Sequence, residues 1–311
     1  MSLSLNDLQG RKLIIFTGKG GIGKSLVTAA LGQLSAENGI RTLLIERAEQ
    51  EQIAPIFGVD AVGHREVKLQ ENLNCINLDP TKCFEEYIVK QLGQKKLFEK
   101  VFSNNVVRTF LNTIPGLSES MLLGRIFYTC ELIDPSPYDL VLFDAPASGH
   151  MQNLMTTLDA IINSGLGGPI VRELVRVRSF LADTAKVGAV VVATPEDLVI
   201  SEILEFLPKL EAESPAKPLG VLVNRCISQE EFSALQGFSS TEGGSNNQGA
   251  LSFLLKRYEK NLKNQKRIVE ELEHLGDLGH SGRYAFLPEL GSIEEPLEPG
   301  FGQFFLKDLL D

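Results

Sequence analysis

The sequence predicts an α/β fold: a doubly wound, mostly parallel sheet with helical insertions over one end. Three observations carry this. Short β-branched runs alternate with long helical patterns, as in a parallel sheet flanked by helices. The segment Gly18-Lys19-Gly20-Gly21-Ile22-Gly23-Lys24-Ser25 has the form G-x-x-x-x-G-K-[ST] and directly follows the apolar run Leu13-Ile14-Ile15-Phe16. A second apolar run, Leu140-Val141-Leu142-Phe143, ends in Asp144.

In chain order, the first strand is expected at 12–16 and feeds the glycine-rich loop. Residues 26–38 read as the helix that this loop opens. Further strands are expected at 41–46, 73–78, 140–144, 189–193, 219–224 and 284–287, each a short apolar, β-branched run bounded by polar or turn residues. Two long stretches carry no clear strand and are read as helical insertions, at about 81–136 and about 151–185, the second broken at Gly165-Leu166-Gly167-Gly168-Pro169. Both leave the carboxyl end of an expected strand, the side on which ligands sit in such sheets. The polar, Gly- and Ser-rich run at about 237–249 is expected to be a mobile loop, and 251–275 one long charged helix. With 311 residues, no internal repeat and one such loop, the chain is expected to be a single domain over 1–311.

Composition narrows the function classes. Hydrophobic residues make up 43% and the net charge is −10, which argues against nucleic-acid partners and against stable anchoring on an anionic membrane. No apolar run approaches the ~20 residues that span a bilayer. Residues 1–11 lack the apolar core of a signal peptide, so a cytoplasmic location is expected. Cys75, Cys83, Cys130 and Cys226 form no C-x-x-C pair and are expected to be buried structural thiols. His64, His150, His274 and His280 show no metal-ligand spacing, so no metal beyond Mg²⁺ is expected.

The glycine-rich loop is a phosphate cradle. Its glycines let backbone N–H groups converge on phosphate oxygens, Lys24 can reach the β- and γ-phosphates, and the Ser25 hydroxyl can ligate Mg²⁺. The following helix presents its N-terminal dipole to the anion. The nucleotide-contact set is therefore Gly18, Lys19, Gly20, Gly21, Ile22, Gly23, Lys24, Ser25 and Leu26, the last in the first helical turn. Lys19 is surplus to the basic motif and marks the deviant form of the P-loop NTPase loop. Asp144 has the position from which an aspartate holds Mg²⁺, directly or through water. Ala145-Pro146-Ala147-Ser148-Gly149-His150 suits a switch segment, with His150 either a switch residue or a cap on the next helix.

Together, the loop, the Asp144-Ala145-Pro146-Ala147-Ser148-Gly149-His150 segment and Asn72-Leu73-Asn74-Cys75-Ile76-Asn77-Leu78-Asp79-Pro80 resemble the ArsA family, which holds arsenite-pump ATPases and ATPases that target tail-anchored membrane proteins. Ala193-Thr194-Pro195-Glu196-Asp197 is similar to that family's strand-to-helix turn. Val223-Asn224-Arg225 looks like its adenine-reading segment, and Leu287-Pro288-Glu289 like the loop closing the other side of the base. The resemblance spans nearly the whole chain. It implies ATP/ADP and Mg²⁺ as ligands, with Lys19, Lys24 and Asp144 catalytic, Ser25 and Asp144 on the metal, and Asn224, Pro288 and Glu289 around the adenine. It also implies a dimer that sandwiches two nucleotides, with Lys19 reaching the partner's phosphates, and a client protein whose identity is unknown.

Departures from the pattern shape the expectation. The family's water-orienting aspartate falls in register on Ala48, leaving Glu46 and Glu49 as the nearest substitutes. The stretch 46–57 resembles a Glu-rich bacterial subgroup that can occur as paired paralogues, so both a homodimer and a heterodimer with a paralogue are open. A C-x-x-C zinc clip is missing and there is only one loop with dispersed cysteines, so arsenite is not an expected ligand. Apolar stripes such as Leu97, Phe98, Val101 and Phe102, then Val106, Val107, Phe110 and Leu111, suit either core packing or a client groove. Two other readings compete: a nucleotide-gated binding module without significant hydrolysis, which Ala48 favours, and a ParA/MinD-like positioning ATPase. The latter usually needs a basic surface or a C-terminal membrane helix, whereas 301–311 carries only Lys307 as a cation.

Overall fold

The computed structural model describes residues 2–8, 10–92, 117–133, 135–165, 167–241, 248–290 and 295–310. Its strands are β1 (Leu13–Thr17), β2 (Thr42–Glu46), β3 (Val67–Gln70), β4 (Leu73–Asn77), β5 (Leu140–Asp144), β6 (Val187–Ala193), β7 (Pro218–Cys226) and β8 (Tyr284–Pro288). They form one sheet in the order β3-β4-β2-β5-β1-β6-β7-β8. Every pairing is parallel except that of β3 with β4. The α/β class and the mostly parallel sheet are as the sequence predicts.

Seven of these strands coincide with expected ones to within a few residues; β3 does not. It is four residues long, half exposed, and carries Lys68 and Gln70, so it has no apolar run to announce it. A tight turn joins it to β4, with Asn72 in the left-handed region at φ 58°, a conformation that Asn tolerates better than most residues. At the other edge, Ser2 bridges to Tyr284, and Leu3 N–H donates to Tyr284 O at 2.8 Å.

The central strands β1, β2, β5 and β6 are buried along their whole length. Burial on both faces explains their unbroken apolar sequence. Alternation along β1 divides the core: Ile14 and Phe16 join one apolar cluster, Leu13 and Ile15 the other. Helices cover both faces.

Those helices are α1 (Leu5–Leu8), α2 (Lys24–Glu37), α3 (Ile53–Ile56), α4 (Pro80–Leu92), α5 (Leu117–Phe127), α6 (Ser148–Asn163), α7 (Pro169–Leu181), α8 (Asp197–Glu213), α9 (Gln229–Thr241), α10 (Gln248–Asp277), α11 (Phe301–Phe305) and α12 (Lys307–Leu310). α5 continues into one turn of π-helix, Tyr128–Leu132. The expected insertions correspond to α4 and α5, and to α6 and α7 with their break at the glycine-rich stretch. Leu97, Phe98, Val101, Phe102, Val106, Val107, Phe110 and Leu111 lie outside the described residues. One expectation needs correction: of the loop at 237–249, residues 237–241 close α9 and 248–249 open α10, while 242–247 lie outside the described residues. Polar composition suggests a loop there, but both flanks continue helices. All four cysteines are free and buried, and burial pushes each thiol above its usual range.

Candidate functional site

From β1 the chain runs to β2 on one side and later returns as β6 on the other, so the carboxyl end of β1 opens at a reversal of strand order. The loop at 18–23 occupies that opening. Gly18 takes φ 143°, and a Cβ there would lie 2.3 Å from Val192 O; at Gly23, with φ 92°, it would lie 2.4 Å from Asn224 Nδ2. Both positions admit only glycine. α2 starts at Lys24 with no side-chain cap on its first turn, so the amides of that turn face the loop's concavity, where an anion satisfies them. Lys24 Nζ donates to Lys19 O at 3.1 Å. Partial burial pulls its ammonium below the usual lysine range, against the opposing field of Asp144. Leu26 is half buried and packs its side chain on the core, which leaves its backbone N–H as its means of contact.

Ser25 and Asp144, 119 residues apart in sequence, meet here: Ser25 Oγ donates to Asp144 Oδ2 at 2.5 Å. The second carboxylate oxygen, Asp144 Oδ1, is buried with no hydrogen-bond partner. Burial raises the Asp144 carboxyl above its ordinary range, opposed by Ser25 and by Lys24. A hydroxyl paired with a buried carboxylate whose second oxygen is orphaned fits Mg²⁺, a hard cation that takes few protein oxygens and fills its remaining positions with water and phosphate.

Directly opposite Asp144 across the β2–β5 pairing stands Glu46. It is 1% exposed. Its Oε2 accepts N–H bonds from Gln52 (2.9 Å) and Ile53 (3.4 Å) at the start of α3, while Oε1 has no partner. Burial first, then the neighbouring Asp144 and Glu51, pushes its carboxyl up to about 7 in spite of those two amides. Glu49 is exposed on the bend after β2, apart from this pair. Ala48 is fixed by Asn77, whose side chain accepts from Ala48 N–H (3.0 Å) and donates to Ala48 O (2.9 Å). Glu51, not anticipated from sequence, accepts from the backbone N–H groups of Val62 (2.6 Å) and Gly63 (2.7 Å). The His150 side chain lies outside the described residues.

On the β7 side, Asn224 is buried and donates from Nδ2 to Ile22 O at 2.9 Å. It therefore braces the loop from behind, with one of its two N–H donors committed. Arg225 follows in the left-handed region at φ 60°, and its guanidinium donates to Gly21 O at 2.9 Å. The sequence marks Arg225 only as the neighbour of Asn224 in the adenine-reading segment; its bond to the loop comes from the backbone turn that aims it back. Pro288 ends β8, and Glu289 N–H donates to Cys226 O at 2.8 Å. Lys19, at the tip of the loop, pairs with Glu202 of α8 at 2.9 Å, both side chains partly exposed.

The structure thus brings residues 18–26, Asp144, Glu46 and Asn224 together at one end of the sheet, with Glu289 on its flank and Glu49 outside. The profile of the anion-transporting ATPase family matches residues 11–167. Similar curated proteins include ATPase BagA of Mycobacterium tuberculosis, 30% identical over 232 residues that cover 71% of this chain and 66% of that protein. ATPase GET3B of Arabidopsis thaliana is 24% identical, over 70% of this chain and 64% of its own length. A putative arsenical pump-driving ATPase of Halobacterium salinarum is 30% identical, over 46% of this chain and 22% of its own length. The matched region spans about two-thirds of the mycobacterial relative.

Proposed function

The chain belongs to the anion-transporting ATPase family, and from that premise we propose that it binds ATP with Mg²⁺, hydrolyses it, and couples nucleotide state to dimer closure and to capture and release of a protein client. The observation that carries this reading is the meeting of Ser25 and Asp144 under the loop, with Asp144 Oδ1 buried and unpaired.

Each residue then has a task. The loop amides from Gly18 to Ser25, with that of Leu26, bind the phosphates. Lys24 gives up its bond to Lys19 O and meets the β- and γ-oxygens. Ser25 and Asp144 hold Mg²⁺, which when bound neutralises phosphate charge. Glu46 orients the attacking water through Oε1, the oxygen left free by the α3 amides. It takes this task in place of the family's aspartate, which Ala48 cannot replace; Glu49 is too exposed for it. With one N–H on Ile22 O, Asn224 meets adenine through Oδ1, and the 288–289 turn closes the other side. Lys19 leaves Glu202 and reaches the phosphates of the partner, a second copy or a paralogue, where it stabilises developing charge. Among the described residues no helix is long and apolar enough to cross a membrane, and none of these tasks calls for a nucleic acid or a membrane surface. The cytosol suits such a cycle.

Steady-state ATP hydrolysis by the wild type and Lys24→Ala tests the reading. Loss of turnover by at least a hundredfold in the variant is expected. A low rate common to both would sink the enzymatic reading and leave the second one, a nucleotide-gated module, which Ala48 and the commitment of Glu46 Oε2 to α3 favour.

A further inference from the structure

Beside the loop, the carboxyl ends of β6, β7 and β8 open into a cavity of about 970 Å³ walled by Thr194, Pro195, Arg225, Phe253, Asn261 and Glu289. Arg225 is the partition between cavity and loop, because its guanidinium is bonded to Gly21 O. A triphosphate seated on residues 18–25 therefore sends its base into this space. Phe253, projecting from α10 with 68% of its surface exposed, offers a flat apolar face to a purine. Glu289 is fixed by its backbone bond to Cys226, two residues beyond Asn224. Its carboxylate is paired with the Arg257 guanidinium, also on α10.

That pairing has a chemical consequence. A free carboxylate accepts hydrogen bonds only, and can take two at once. Guanine offers two N–H donors side by side, N1–H and N2–H. Adenine offers one amine, N6, beside the lone pair of N1, which a carboxylate repels. A bare Glu289 thus suits guanine, whereas one neutralised by a donor-only guanidinium suits adenine. Resting on the nucleotide reading above, we propose that Arg257 determines base choice: by holding Glu289, it makes the pocket select ATP over GTP.

Competition binding of ATP and GTP to the full chain tests this in the wild type, Arg257→Met and Arg257→Met/Glu289→Gln. Arg257 is half exposed on a long helix, so its loss leaves the core intact. The single variant is expected to shift the ATP-to-GTP affinity ratio toward GTP by about tenfold. The double variant, which lacks the bare carboxylate, is expected to return toward the wild-type ratio. An unchanged ratio in Arg257→Met, or a gain for GTP that survives in the double variant, overturns the proposal alone. A wild type that binds neither nucleotide overturns the underlying reading and this inference with it.

Discussion

At the scale of single residues, Glu46 carries a clear electrostatic cost. Its carboxyl is pushed from an ordinary 4.5 up to about 7 by burial. In the unfolded chain it has lost its proton well before the folded protein gives its own up. Across that window the folded state binds more protons, so stability falls as pH rises from roughly 4.5 to 7 and then levels off, a loss on the order of 3 kcal/mol from this one group. Glu46→Gln keeps an acceptor for the Gln52 and Ile53 amides but cannot ionise. Its urea midpoint in metal-free buffer is therefore expected to change less between pH 5 and 7.5 than that of the wild type. An equal decline in both would assign the pH dependence to other groups. Asp144 is legible in the sequence as an acid ending an apolar run, and Glu46 as a neighbour of Ala48, where the family's aspartate falls in register. That they face each other is not, because strand order and register are set by long-range pairing.

Single elements divide into those the sequence announces and those it hides. β1 with its loop and α2 is local: a hydrophobic run, a glycine pattern and a helical period stand in series within 25 residues. β3 and the segment between β2 and β3 are hidden: Ile53, Ala54 and Val62 reach the core but stand in no periodic apolar run, and side-chain bonds to the backbone hold the rest. Glu51 is the clearest case. Its two oxygens take the Val62 and Gly63 amides while Asn77 ties down Ala48 from β4. Glu51→Ala leaves those amides without their acceptor and is expected to destabilise the protein by about 2 kcal/mol. Amide exchange at residues 62 and 63 should speed up selectively. Glu49→Ala, at an exposed side chain two residues earlier, is expected to be neutral in the same assay. The helical insertions show the reverse. Their existence follows from periodicity. Outside the insertions, the ends of α9 and α10 run further into polar sequence than composition suggests.

For the whole molecule, the central question is association. Lys19 pairs with Glu202 of its own chain, and both ends are partly exposed. Such a surface pair is worth at most about 1 kcal/mol, far less than a lysine gains on a desolvated phosphate. In the proposed dimer the pair therefore yields as the partner's nucleotide arrives. Lys19→Ala is expected to retain ATP binding within a few-fold by calorimetry, yet to lose ATP-dependent dimerisation in sedimentation velocity. Unimpaired dimers in that variant would remove Lys19 from the interface. The edges of the sheet bear on association of another kind. One margin is β3, four residues long, antiparallel to its neighbour and carrying an exposed lysine; the other, β8, is partly covered by Ser2 and Leu3. Neither offers a long, flat row of free amides on which a further strand could grow. In the proposed cycle the protein meets its partner repeatedly at one end of the sheet, while the sides of the sheet are shielded from the open-ended strand stacking that leads to fibrils.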